Sequence, residues 1–236
     1  MSQPAIPRAE RLIVALDVPT AAEARALAEH IGDAARFYKV GLELFSAEGY
    51  FGLIQWLIAR GNKVFADLKL FDIPETVRRA TANLSRSGAS LLTVHAHSSV
   101  LRAAAAEKGA MKILGVTVIT SFDQSDLAEW GATQPLEEVV RERAQATLAA
   151  GCDGVISSPH EAADLKARFG RRLLVVTPGI RPAGEERADQ KRTMDVAQAF
   201  RAGADYVVVG RPVRQAADPR AAAAAMQGAI ATIFPA

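Results

Sequence analysis

The chain has 236 residues, half of them hydrophobic, a net charge of +2 and one cysteine. That is enough to bury a sizeable core, and it suits one α/β barrel or two small domains. The balance excludes several classes: there is no basic run or aromatic–basic stripe for nucleic acid, no apolar run long enough to span a membrane, and no second cysteine for a disulfide or thiolate cluster.

Residues 1–10 are polar, hold Pro4 and Pro7, and lack the apolar centre of a signal peptide. They read as a flexible arm on a soluble, cytoplasmic protein. Leu12 to Leu16 is an apolar strand ending in Asp17, and Thr20 can cap the Ala-rich helix that runs to about Ile31. Phe37 to Val40 is a second strand, carrying Lys39. Ser46 opens a predicted helix through Ala59, stopped by Gly61. The third strand ends in Ala66-Asp67-Leu68-Lys69-Leu70-Phe71-Asp72-Ile73-Pro74-Glu75-Thr76. Pro74 suits the first turn of the helix that follows and ends near Gly88.

Leu91 to His95 is the fourth strand, and a helix from about Ser98 to Lys108 follows. The fifth strand spans Lys112 to Thr120. A polar connection, Ser121 to Gln134, leads to a helix from Pro135 to Ala150. Cys152 opens the next apolar stretch and reads as a buried, inert thiol. Gly154 to Ser157 is the sixth strand, with Pro159 starting a helix, and Leu173 to Thr177 is the seventh. Pro178 to Lys191 is the longest loop. A helix from Thr193 to Ala202, a strand from Tyr206 to Val209 and a final helix from Pro219 to Ile233 complete the chain.

Eight strand–helix alternations, several strands apolar on both faces, and no linker predict a closed (β/α)8 TIM barrel over residues 11–236. A doubly wound sheet would usually carry a Gly-rich turn after its first strand, and Asp17-Val18-Pro19-Thr20 has no glycine.

In such a barrel the active site lies at the carboxyl ends of the strands. This chain places Asp17, Lys39, Asp67, Lys69, His95, Thr120, Ser121, Arg181, Gly210 and Arg211 there. Asp67 and Lys69 are two apart on a strand and should share a face, with Asp72 in the turn beyond. The loops after strands seven and eight are the usual phosphate site of the fold. Arg181 and Arg211 can each give paired hydrogen bonds to phosphate oxygens, and Gly210 allows close backbone approach. A phosphorylated small molecule is implied. Alternating Asp and Lys keep each lysine protonated. Zinc-ligand spacings, a nucleophile elbow and GxGxxG are all lacking, so general-acid and electrostatic chemistry with neither metal nor cofactor is expected.

The chain closely resembles the orotidine 5′-phosphate decarboxylase family over nearly its whole length. The resemblance is carried by Asp67-Leu68-Lys69-Leu70-Phe71-Asp72-Ile73-Pro74-Glu75-Thr76, Thr177-Pro178-Gly179-Ile180-Arg181 and Val209-Gly210-Arg211-Pro212. It implies a homodimeric barrel that converts orotidine 5′-phosphate to UMP and CO2 in pyrimidine biosynthesis, without metal or cofactor. By that resemblance Lys39, Asp67 and Lys69 form a charged network, and Asp72 joins it from the partner subunit. Lys69 is then the proton donor to the ring carbon that loses CO2. Asp17 and the partner's Thr76 would contact ribose, and Thr120 with Ser121 the pyrimidine. Gln190, Arg181, Gly210 and Arg211 would grip phosphate, with Ile73 and Pro178 also at the substrate.

The chain departs from the family at His95-Ala96-His97-Ser98-Ser99, where His-Ala-Ser/Thr-Gly-Gly is common, and at Glu75, where asparagine is frequent. Related Mg²⁺-dependent sugar-phosphate enzymes share D-x-K-x-x-D but take a glutamate from strand two. Lys39 stands in that place and would repel the metal.

Overall fold

The computed structural model describes residues 6–180 and 194–235. Eight strands close on one another in chain order, with every pairing parallel. They are β1 (Leu12–Ala15), β2 (Phe37–Gly41), β3 (Lys63–Leu70), β4 (Leu91–His95), β5 (Lys112–Val116), β6 (Gly154–Ile156), β7 (Leu174–Thr177) and β8 (Tyr206–Val209). Helices cover the outside: α1 (Ala21–Ile31), α2 (Leu42–Phe45), α3 (Tyr50–Ala59), α4 (Pro74–Arg86), α5 (Ser98–Ala106), α6 (Gln124–Glu129), α7 (Leu136–Ala149), α8 (Ala162–Phe169), α9 (Val196–Arg201), α10 (Arg211–Arg214) and α11 (Pro219–Ile233). The predicted (β/α)8 barrel is the observed fold. Among the described residues, no helix is long and apolar enough to cross a membrane.

The two-residue period of the strands builds two cores. Ile13, Ala15, Phe37, Phe65, Leu91, Leu114, Val176 and Val208 fill the barrel interior. Leu12, Val14, Val40, Val64 and Leu92 face outward onto the helices, where Leu53, Leu57, Leu84 and Leu101 meet them. Strands buried on both faces read as continuous apolar runs for this reason.

Several boundaries differ from the sequence reading. The helix expected from Ser46 begins instead at Tyr50, after Gly49 takes a left-handed conformation (φ 88°), and the short α2 that ends at Phe45, before Ser46, was not anticipated. The fifth strand stops at Val116 rather than Thr120. The polar connection after it contains α6, whose N-cap Asp123 makes a capping box with Asp126. Pro159 does not start α8, which begins at Ala162 after Glu161. The short α10 went unread, since Pro212 in its first turn looks like a strand end yet is compatible with a helix start. At the amino end, Arg8–Glu10 form a 3₁₀ turn, Glu10 pairs with Lys63, and Ile6 packs against the interior cluster. The inner part of the expected arm thus lies on the barrel.

Candidate active site

Register explains why charges gather above an apolar barrel. Lys39 pairs with Ala15 on one side and Phe65 on the other, both inward residues, so Lys39 also points inward. Asp67 lies two residues beyond Phe65 and faces the same way. Lys39 Nζ donates to Asp17 Oδ1 at 2.7 Å and lies 3.7 Å from Asp67 Oδ2. Lys69 Nζ lies 2.9 Å from both Asp67 oxygens. The four side chains form one alternating chain, Asp17–Lys39–Asp67–Lys69.

The pairing of Asp67 and Lys69 was expected, but the regular pleat does not produce it. The β3–β4 register shifts between Ala66 and Leu70. Among the described residues Lys69 alone, apart from glycines, has a positive φ, at 47°. A lysine in the left-handed region costs about 1–3 kcal/mol and persists only where its surroundings hold it. Thr93 on β4 supplies that hold: its hydroxyl accepts from Lys69 N at 2.9 Å and donates to Asp67 Oδ1 at 2.8 Å. The sequence reading passed over Thr93, a lone hydroxyl in an apolar strand.

Burial by itself would push the Asp67 carboxyl up. The Lys69 and Lys39 charges and the hydrogen bonds from Lys69 and Thr93 outweigh it and hold the carboxyl below its ordinary range. Asp67 is therefore ionised at neutral pH. Burial first, then the charges of Arg143 and Lys69, lower the His95 pKa, so its imidazole stays neutral. The His95 ring stacks edge-on against Phe71 at 5.2 Å.

The four charged side chains line a cavity of about 460 Å³, and His95, expected at the rim, is not among its lining residues. Asp17, Lys39, Asp67 and Lys69 form one side. Phe65, Val116, Ile156 and Val208 close the floor, and Thr120 and Ser121 stand opposite. Pro178, Gly179, Gly210, Arg211 and Arg214 complete the rim; Arg214 was not anticipated. A Cβ on Gly210 would meet protein only at ordinary contact distances, Ala15 Cβ at 3.7 Å and Asp17 Oδ2 at 3.9 Å. A Cβ on Gly41 would lie 3.1 Å from Lys39 Nζ and 3.5 Å from Asp17 Oδ1, so that glycine makes room for the ion pair.

Of the other candidate residues, Asp72, Ile73 and Thr76 are exposed and do not line this cavity. Asp72 Oδ1 accepts from Ile73 N at 2.6 Å, and no lysine of its own barrel pairs with it among the described residues. Arg181 and Gln190 lie outside the described residues. Cys152 is buried, and burial pushes its thiol up to about 12, so it is not a nucleophile here.

The model of the orotidine 5′-phosphate decarboxylase / HUMPS family matches residues 10–226. An orotidine 5′-phosphate decarboxylase of Methylococcus capsulatus is 52 % identical, covering 99 % of this chain and 97 % of that relative. One from Rhodopseudomonas palustris is 49 % identical over 94 % of this chain and 95 % of its own. The crystal structure of orotidine 5′-phosphate decarboxylase from Lactobacillus acidophilus superposes with a TM-score of 0.83 at 35 % identity, covering 94 % of this chain and 99 % of that one. With the charged rim and the closed barrel already in place, a match of this extent has one meaning: the chain belongs to the orotidine 5′-phosphate decarboxylase / HUMPS family.

Proposed function

We propose that this protein decarboxylates orotidine 5′-phosphate, as its relatives' names state of them, and that the products are UMP and CO2. The observation that carries the reading is the Asp67 carboxylate held between two ammonium groups, Lys69 at 2.9 Å and Lys39 at 3.7 Å, in a cavity rimmed by Gly210 and Arg211. The phosphate would sit at the Gly210–Arg211 rim and the pyrimidine against Thr120 and Ser121. Arg181 and Gln190 would complete the phosphate grip from the Pro178 to Lys191 loop. Its closure, driven by phosphate binding, would exclude water.

The difficulty of the reaction is a carbanion on a ring carbon with no electron sink. As the bond to CO2 breaks, Lys69 Nζ stabilises the pair left behind and delivers its proton to that carbon. The substrate carboxylate would approach Asp67. Two unit charges about 4 Å apart interact by ~4 kcal/mol at an effective dielectric near 20, roughly a thousandfold in rate if fully relieved. The larger contribution is the fixed ammonium charge, already oriented and needing no reorganisation during the step.

The Mg²⁺-dependent sugar-phosphate reading is disfavoured by Lys39, whose ammonium occupies both Asp17 and Asp67 where a metal would need them. Asp72 and Thr76, outside their own cavity, are read as serving the partner's site in a homodimer.

The test is a steady-state assay following the loss of orotidine 5′-phosphate absorbance, with and without exhaustive EDTA treatment. Undiminished turnover after chelation is expected. Lys69→Ala should abolish turnover while leaving UMP binding measurable. Activity lost to chelation and restored by Mg²⁺ would favour the sugar-phosphate enzymes. Substantial turnover by Lys69→Ala would remove the proton-donor assignment.

A further inference from the structure

The cavity carries a second described guanidinium beside Arg211. α10 has Arg211 at its first position and Arg214 at its fourth. Residues three apart lie on the same face of a helix, and both arginines line the cavity. Arg214 Nε is buried and has no hydrogen-bond partner among the described residues. The acids nearest the reacting end are already engaged, Asp17 by Lys39 and Asp67 by Lys39 and Lys69. α10 does not need Arg214 as an anchor, because Val213, fully buried, holds it to the barrel.

A guanidinium offers five donors and keeps its charge at any working pH. A buried donor without an acceptor costs stability. The position therefore suits a ligand anion with several acceptor oxygens. A phosphate monoester carries about −1.5 to −2 charges at pH 7 and presents three such oxygens. Arg211 alone matches about half of that charge, and Arg214 is the other guanidinium lining the cavity among the described residues.

We propose that Arg214 is a further phosphate-binding side chain, forming with Arg211 a two-guanidinium clamp for the 5′-phosphate on the α10 side of the cavity, beside the grip read for Arg181 and Gln190. This rests on the reading of the substrate as a phosphorylated nucleoside and adds a specificity residue to it. A neutral nucleoside offers such a clamp neither the charge nor the oxygens.

The experiment is calorimetric titration of UMP and of uridine into the wild-type, Arg211→Gln, Arg214→Gln and Arg214→Lys proteins, with ligand-free thermal midpoints. Arg214→Gln should weaken UMP binding roughly ten- to hundredfold, the loss of one charged hydrogen-bonding partner, with uridine unaffected. Arg214→Lys should recover part of the loss, keeping the charge without the fork. The midpoint without ligand should not fall in Arg214→Gln, since an unmatched cation is removed. UMP affinity equal to wild type, or equal losses for UMP and uridine with a lowered midpoint, would overturn the clamp. If the Gln protein does not fold, the Lys protein decides: weaker UMP with unchanged uridine supports the clamp, and wild-type UMP affinity overturns it. A loss in Arg211→Gln alone removes Arg214 and leaves the nucleotide reading standing. Wild-type protein that ignores UMP overturns both.

Discussion

Thr93 joins the two unusual features of the site: the left-handed backbone at Lys69 and the low-titrating carboxyl of Asp67. Its hydroxyl contacts both, and the residue is fully buried. Thr93→Val keeps the shape and removes both hydrogen bonds. Leaving a buried donor and a carboxylate oxygen short of a partner should cost about 1–3 kcal/mol. The direction with pH also follows. The folded Asp67 carboxyl lies below its ordinary value, so its ionised form contributes stability that is present above the unfolded value, about 3.9, and is lost as pH falls through the folded one. Removing the Thr93 bond should move that folded value up. The acid limb of activity and of thermal stability should shift toward neutral pH in Thr93→Val, and Thr93→Ser should largely restore both. A pH profile identical to wild type would show that Thr93 has no hold on Asp67. Asp17, Lys39, Asp67 and Lys69 were legible because a charge at the end of an apolar run contributes nothing to packing and so points to chemistry. Thr93 was not, because a β-branched hydroxyl inside a strand looks like ordinary packing until its acceptor is seen.

Strand register was the element-scale property least visible in the chain. Alternation correctly paired Asp67 with Lys69, but the strand reaches that outcome through a shift between Ala66 and Leu70. No composition signal marks the shift; a glycine would have announced it, and the residue concerned is a lysine held by tertiary contacts. Strand identities and the long helices were legible from apolar runs and caps, as Thr20 at the start of α1 illustrates: its side chain accepts from Glu23 N. The short helices α2, α6 and α10 were not, since helices of four or six residues carry too little periodicity. Gly41, opposite Asp67 in the β2–β3 ladder, makes the consequence testable. Its backbone (φ −106°) is open to alanine, so the fold should survive Gly41→Ala. The new methyl would sit 3.1 Å from Lys39 Nζ and force it to shift relative to Asp17. A shift costing about 1.4 kcal/mol of transition-state stabilisation is roughly tenfold in rate, and a loss of about that size in kcat/KM is expected, with unchanged circular dichroism. Wild-type kinetics would mean that the position of Lys39 tolerates displacement.

At the scale of the whole molecule, one barrel leaves the D-x-K-x-x-D motif divided. Asp67 and Lys69 face inward, while Asp72 stands outside, flanked by Phe71 and Ile73, each 67 % exposed. Among the described residues Asp72 pairs with no lysine of its own barrel. Two large apolar side chains beside such an acid suit a surface that a second copy covers. A two-fold interface is self-complementary, so each chain would both donate Asp72 and receive it. The prediction is complementation between two inactive proteins, Lys69→Ala and Asp72→Asn. In a mixed dimer one site collects both lesions, and the other has intact Lys69 from one chain with intact Asp72 from its partner. Dilution or unfolding followed by reassociation should therefore return activity from two dead parents. At equal mixing with random pairing, half of the dimers are mixed, and each has one intact site. Activity should rise with the fraction of mixed dimers and reach about a quarter of the wild-type value per site. Subunit exchange would be followed independently, by mass or by a tag on one parent. If mixed dimers form and no activity returns, Asp72 serves its own barrel and the shared site is wrong.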